Sequence, residues 1–281
     1  MSTKPIALTI AGSDSGGGAG IQADIKAMEA NGVFATSALA AVTAQNTETV
    51  AEAHDLPPSL VAAQIDAVAE DMDVQAAKTG MLSAPEIIEV VADRVRAHSL
   101  QPFVVDPVMI SKTGFKLLQD AAIDTLLDEL LPLATVITPN VHEVAHLTEV
   151  EDIETVDDLK AAARALFERG PDAVLAKGGH LAEEEEAVDV LVDESGVRTF
   201  TAPRIDTRHT HGTGCTYASA IAANLAKGHA VHAAVDRAKR YVTGAIRHAL
   251  PLGHGRGPTN HFFHLDPDAA VAEGRAAEQA D

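Results

Sequence analysis

The sequence predicts an α/β protein, a three-layer αβα sandwich around a mostly parallel central sheet. Apolar runs of strand length alternate with stretches of helical period through most of the 281 residues. That order is the mark of parallel strands joined by helices that cover both sheet faces. Composition agrees, with 46% hydrophobic and 22% charged residues, the balance of a chain that buries a full core. The core must be aliphatic, since there is no Trp and only two Tyr and seven Phe.

In chain order, residues 6–10 read as a strand and 21–31 as a helix closed by Gly32; residues 35–42 form the next strand. A helix over 59–70 follows Pro57 and Pro58, with Ser59 as the N-cap. Strands at 76–79, 103–106 and 136–138 then alternate with helices at 84–98, 121–130 and 141–147. A helix over 156–169, closed by Gly170, leads to a strand at 173–177. Beyond Lys177 the pattern becomes a hairpin, with arms 188–192 and 198–201 around a turn at 193–196. Two helices, 215–227 and 232–248, complete one domain over residues 1–265. Residues 266–281 read as an acidic, frayed tail.

Charge restricts the partners. Lys and Arg total 21 against 41 Asp and Glu, a formal net charge of −20. A broad nucleic-acid surface is therefore not expected, and scarce aromatics leave little for base stacking. The dispersed acid suits a solvated surface, and adaptation to high salt, where self-repulsion is screened, is one expectation. With a single cysteine, Cys215, no internal disulfide can form. No apolar run reaches the roughly 18 residues of a membrane span, and the N-terminus has no secretory h-region, so a cytoplasmic, non-membrane protein is expected.

In an open parallel sheet, ligands sit beyond the carboxyl ends of the strands. After the first strand comes a glycine-rich turn, residues 11–20, able to bring backbone N–H groups to a ligand. It matches neither the P-loop nor GxGxxG, and by itself is equally a turn that only packs. His-Thr-His-Gly-Thr-Gly-Cys-Thr (209–216) precedes a helical run. Gly212 and Gly214 let amides converge at that helix start, which suits an anion with developing charge. Cys215 there reads either as a thiol of lowered pKa or as a small buried hydrophobe. Asn140 and Glu143 are three apart, and on a helix beginning at Pro139 both could hold a hydrated Mg²⁺ among phosphates. Lys177, at a strand end, is a partner for a transferred phosphoryl group; the alternative for Glu143 and Lys177 is solvated surface charge.

Eight segments stand in order along the chain: Leu-Thr-Ile-Ala-Gly-Ser-Asp (8–14), Gly-Gly-Ala-Gly-Ile-Gln-Ala-Asp (17–24), Ala-Gln-Asn-Thr (44–47), Lys-Thr-Gly-Met-Leu (78–82), Val-Asp-Pro-Val-Met (105–109), Thr-Pro-Asn (138–140), Lys-Gly-Gly-His (177–180) and His-Gly-Thr-Gly-Cys-Thr (211–216). Together they resemble the phosphomethylpyrimidine kinases of thiamin biosynthesis, within the ribokinase-like fold. The resemblance spans residues 8–264. It implies transfer of the γ-phosphoryl of ATP to 4-amino-5-hydroxymethyl-2-methylpyrimidine and then to its monophosphate. It also implies a homodimer. Similarity assigns Gln45 to the pyrimidine edge, Asp24 and Gly12 to the substrate, and Met81 and Val108 to apolar pocket walls. It assigns Lys177, Asn140, Thr213 and Gly214 to the ATP phosphates, Glu143 and Asp106 to Mg²⁺, and Cys215, Lys177, Gly212 and Gly214 to catalysis. Related ribokinase-fold enzymes carry Asp at the place of Cys215, which leaves the base open.

Two other functions fit parts of the pattern. A pyridoxal or pyridoxine kinase would use the same machinery on another hydroxymethyl group. A non-catalytic pyrimidine sensor would keep Gln45 while losing Lys177, Glu143 or the Gly212–Gly214 turn, all of which are present. Zinc at His254, His261 and His264 is disfavoured by Phe262 and Phe263, which suggest a packed strand or turn.

Overall fold

The computed structural model describes residues 4–109, 117–119, 121–150, 152–179, 181 and 186–265. The expected tail (266–281) and His180 lie outside the described residues. Among these, nine strands form one sheet: β1 (Ile6–Asp14), β2 (Phe34–Gln45), β3 (Val50–Asp55), β4 (Ala76–Thr79), β5 (Phe103–Val105), β6 (Val136–Ile137), β7 (Ala173–Lys177), β8 (Glu186–Asp193) and β9 (Gly196–Pro203). Their order is β3-β2-β1-β4-β5-β6-β7-β8-β9. The run from β2 to β7 is parallel, while β3 at one edge and β8 and β9 at the other are antiparallel.

Period-two alternation assigns the two faces. Ala7, Val104, Val136 and Leu175 pack on α1 (Gly20–Ala30), α7 (Thr213–Ala226) and α8 (Val231–Arg247). Leu8, Ile10, Phe103, Val105 and Ile137 point the other way. They pack on α2 (Pro58–Ala69), α3 (Pro85–Ala97), α4 (Ala121–Thr125) with the π-helical turn Leu126–Leu130 that continues it, α5 (Val141–Thr148) and α6 (Val156–Phe167). Small residues let the elements approach: α7 buries Ala218, Ala220, Ala222 and Ala223 completely between the sheet and the neighbouring helices α1 and α8.

Four details differ from expectation. β1 runs on through Gly12 and Ser13 to Asp14, because a register shift at Ala11/Gly12 keeps it paired with β2. Edge strand β3 is absent from the sequence pattern because only Val50 of its six residues is buried. Helix α2 starts at Pro58, with Pro57 rather than Ser59 at the N-cap; proline's fixed φ suits the first helical position. The stretch 121–130 divides into an α-helical and a π-helical part. After β2 and β3 on one side, the chain resumes with β4 on the other side of β1, so a switch point lies between β1 and β4. A ligand crevice is expected at such a reversal.

Candidate active site

A cleft of about 1230 Å³ opens beyond the carboxyl ends of β1, β4, β5 and β7. Gly12, Gln45, Met81, Asp106, Val108, Asn140, Glu143, Lys177, Gly212, Thr213, Gly214 and Cys215 all line it. Asp24 does not. It is fully buried on α1, where its carboxylate accepts from Thr9 Oγ1 (2.6 Å), Ser219 Oγ (2.7 Å) and Lys78 Nζ (2.9 Å). The expectation that Asp24 contacts substrate is therefore corrected, since its acceptor sites are taken by the protein.

The turn after β1 is organised by Asp14, a residue not singled out from the sequence. Its carboxylate accepts from the N–H groups of Gly16 (2.8 Å), Gly18 (3.0 Å) and Ala19 (2.8 Å) and pairs with His211 Nε2 at 2.9 Å. Burial opposes its ionisation, but the His211 hydrogen bond and charge and the amides of Ala19 and Gly16 outweigh it, so its pKa lies below 3.8. His211 Nε2 is also 3.4 Å from Gln45 Nε2 at the end of β2; since that ring nitrogen donates to Asp14, the two side chains are neighbours without a hydrogen bond between them. The signal available in the sequence was an acidic residue set between a strand and a glycine run, the pattern of a side chain that ties down its own following amides.

Across the cleft, α7 begins at a left-handed Gly212 (φ 76°), where a Cβ would stand 1.7 Å from the Gly18 carbonyl oxygen. Only glycine fits that approach of the two turns. The helix N-terminus so placed presents Thr213, Gly214 and Cys215 to the cleft; the Thr213 N–H donates to Thr210 O at 3.3 Å, and the dipole of the helix start favours an anion beside Gly214. Opposite, Lys177 Nζ donates to Asp106 Oδ1 at 3.0 Å, which also accepts from Thr138 Oγ1 at 3.0 Å. Asp106 Oδ2 is buried with no hydrogen-bond partner among the described residues. A Cβ on Gly214 would lie 3.4 Å from Lys177 Nζ and 3.8 Å from Asp106 Oδ2, so the helix start, the ammonium and the free carboxylate oxygen meet at one point.

Helix α5 starts at Val141, as expected of the 141–147 helix and two residues after the Pro139 start on which the Mg²⁺ geometry was conditional. Asn140 is its N-cap, accepting from the N–H groups of His142 (2.9 Å) and Glu143 (3.1 Å), while Glu143 Oε2 accepts from Asn140 N–H at 2.8 Å. This capping box commits Asn140 Oδ1 to the helix and leaves its Nδ2 amide for a ligand. Burial pushes the Glu143 carboxyl up to about 7, against the pull of Lys177 and with the push of Asp106. Burial opposes charge on Lys177, but Asp106 and Glu143 more than compensate and keep it an ammonium. Burial also drives the Cys215 thiol up to about 12 despite Lys78 nearby. Of the two readings of this thiol, the buried one therefore prevails over the acidified one, because desolvation opposes the thiolate more than Lys78 favours it.

Met81 packs on Gly12, where a Cβ would meet its Cε at 2.5 Å, and Val108 adds to the apolar wall. The β2–β3 turn is clasped from the far end of the chain: Gly255 N–H donates to Thr47 Oγ1 at 3.1 Å and Arg256 N–H to Thr47 O at 2.9 Å. At the C-terminal histidines, His261 is buried and bonded to Thr216 Oγ1 at 2.9 Å, and Phe263 stacks on His248 in a 3₁₀ turn. These residues form the packed turn rather than a strand.

An anion-holding helix start facing a lysine and two buried carboxylates, with a walled pocket beside it, is the site of a small-molecule phosphotransferase. Comparison with known proteins makes this particular. The sequence model described as phosphomethylpyrimidine kinase matches residues 14–260. The hydroxymethylpyrimidine/phosphomethylpyrimidine kinase of Streptomyces coelicolor is 54% identical over 94% of this chain and 96% of its own. A crystal structure of phosphomethylpyrimidine kinase from Clostridium difficile superimposes with a TM-score of 0.77 at 43% identity, covering 86% of this chain and 100% of that one. The ADP complex of Bacillus subtilis pyridoxal kinase gives 0.88 at 38% identity, covering 94% and 100%. The chain belongs to the phosphomethylpyrimidine kinase family.

Proposed function

We propose that this protein transfers the γ-phosphoryl group of ATP to the hydroxymethyl oxygen of 4-amino-5-hydroxymethyl-2-methylpyrimidine, and then a second one to the resulting monophosphate. The observation that carries this is the convergence of Lys177, the free Asp106 Oδ2 and the Gly212–Gly214 helix start on one point, across a cleft shared with Gln45. Gln45 supplies an amide that can pair with an amino group and a ring nitrogen, and it stands next to the Asp14–His211 pair. Met81 and Val108 enclose the ring, and Gly12 leaves it room.

Phosphoryl transfer of this kind passes through a loose transition state, so positioning and charge neutralisation dominate. Lys177 and the Gly214 amide are placed to take the charge on the transferred group, with Thr213 beside them at the helix start, and Asn140 Nδ2 to hold a phosphate. The unpartnered Asp106 Oδ2 and the buried Glu143 carboxylate are hard oxygen donors that fit Mg²⁺, which needs few protein ligands. When bound, Mg²⁺ neutralises charge on the nucleotide phosphates. Cys215 stands beside the acceptor oxygen and takes its proton as that oxygen attacks. The family's homodimer, a single catalytic domain over residues 1–265 and a cytoplasmic setting belong to the same reading. No described helix is long and apolar enough to cross a membrane.

Similarity to a pyridoxal kinase makes pyridoxal the competing acceptor. The test is ADP release from Mg-ATP with hydroxymethylpyrimidine, its monophosphate or pyridoxal offered separately. Turnover of both pyrimidines and little of pyridoxal is expected. Turnover of pyridoxal alone would overturn the assignment and the role given to Gln45.

A further inference from the structure

A fully buried ion pair lies behind the catalytic face and has no part in the mechanism so far. Lys78 on β4 and Asp24 on α1 are both 0% exposed and joined at 2.9 Å through both carboxylate oxygens. Burying two charges is seldom a net gain in stability, which raises the question of what this pair serves. Its connections lead to Cys215. One rung joins α1 and α7 behind the cleft: Asp24 accepts from Ser219 Oγ at 2.7 Å. Cys215 and Ser219 are four apart on α7, so this rung lies one turn, roughly 6 Å, deeper along the helix face that carries the thiol. The ammonium reaches toward the cleft, since a Cβ on pocket-lining Gly80 would stand 2.9 Å from Lys78 Nζ.

We propose that the Lys78–Asp24 pair is a positioning element for Cys215, placing an ammonium behind the thiol as the counter-charge to the thiolate formed when the acceptor gives up its proton. Asp24 neutralises Lys78 at rest and fixes it through Thr9 and Ser219. The charged groups acting on the sulfur are Lys78 from β4, Asp24 from α1, Asp106 after β5 and Lys177 from β7. Of these, Lys78 has the largest electrostatic influence on the thiol, ahead of Asp24 and Asp106. The inference rests on the reading of Cys215 as proton acceptor, although its physical content, easier thiolate formation, can be measured without catalysis.

Cys215 is the only cysteine, so iodoacetamide alkylation of the full chain reports on this thiol alone. The rate at about pH 9 follows the thiolate fraction. The neutral pair Lys78→Gln/Asp24→Asn is expected to react roughly threefold or more slowly than the parent, the effect of half a pKa unit or more. Ser219→Ala loosens the same rung without removing charge and is expected to react at the parent rate. An unchanged rate in the double variant would overturn the proposal, and so would equal slowing by Ser219→Ala, which would make the rung merely structural. If the amide pair fails to fold, Lys78→Met/Asp24→Leu carries the same test. Turnover of Cys215→Ser is measured alongside: full turnover would remove the thiol from the reaction while leaving the alkylation result to decide the charge coupling.

Discussion

Cys215 sits where Lys78 favours its thiolate and burial disfavours it, and burial prevails. On the proposed reading, proton acceptance by this thiol is confined to the transition state, when the acceptor's charge is developing. Cys215→Ser is expected to lower turnover on the alcohol by about 10²–10⁴-fold, the usual worth of a general base, with ATP binding retained in a nucleotide titration. The monophosphate acceptor is already an anion, so Cys215→Ala should cost the second phosphorylation less than the first; equal losses would count against this assignment. Asp106→Asn removes the free carboxylate charge and should raise the Mg²⁺ needed for half-maximal rate on the order of tenfold or more. Asp14 makes a prediction about acid stability. Its folded pKa is below the 3.8 of the free side chain, so its contribution is present above that pH and is lost as pH falls below it. Acid unfolding of Asp14→Asn should show a shallower pH dependence in that range. Most of these residues were legible in the sequence as chemistry, whereas Asp24 was misplaced: whether a carboxylate faces substrate or a buried lysine depends on Lys78 and Ser219, which lie 54 and 195 residues away.

The elements were most legible where burial imposes a period. β4 and β7 match their expected limits, and the amphipathic helices α3 and α6 differ by only a residue or two at each end. Where burial imposes none, the pattern fades: β3 exposes five of its six residues and is fixed only by pairing with β2. The extension of β1 to Asp14 crosses a glycine and depends on neighbour pairing. Helix ends respond to single caps. Thr155 accepts from Asp158 N–H at 3.2 Å while Asp158 Oδ2 accepts from Thr155 N–H at 2.9 Å, closing a capping box far from the cleft. Thr155→Ala is expected to cost about 1 kcal/mol in denaturant unfolding and to leave turnover unchanged.

At the scale of the whole molecule, a net charge of −20 works against compactness through self-repulsion that salt screens. The melting temperature should rise from low to multimolar KCl, and a flat response would show that the acidic surface carries no such penalty. The clasps of the cleft join the chain's beginning to its end: Asp14 to His211, Asp24 to Ser219 and Thr47 to Gly255 span 197, 195 and 208 residues. All nine described strands are complete by Pro203, before any of those distal partners has been synthesised. During translation the sheet can therefore take shape on the ribosome while the site cannot, and the ability to bind must await the emergence of residues 211–255.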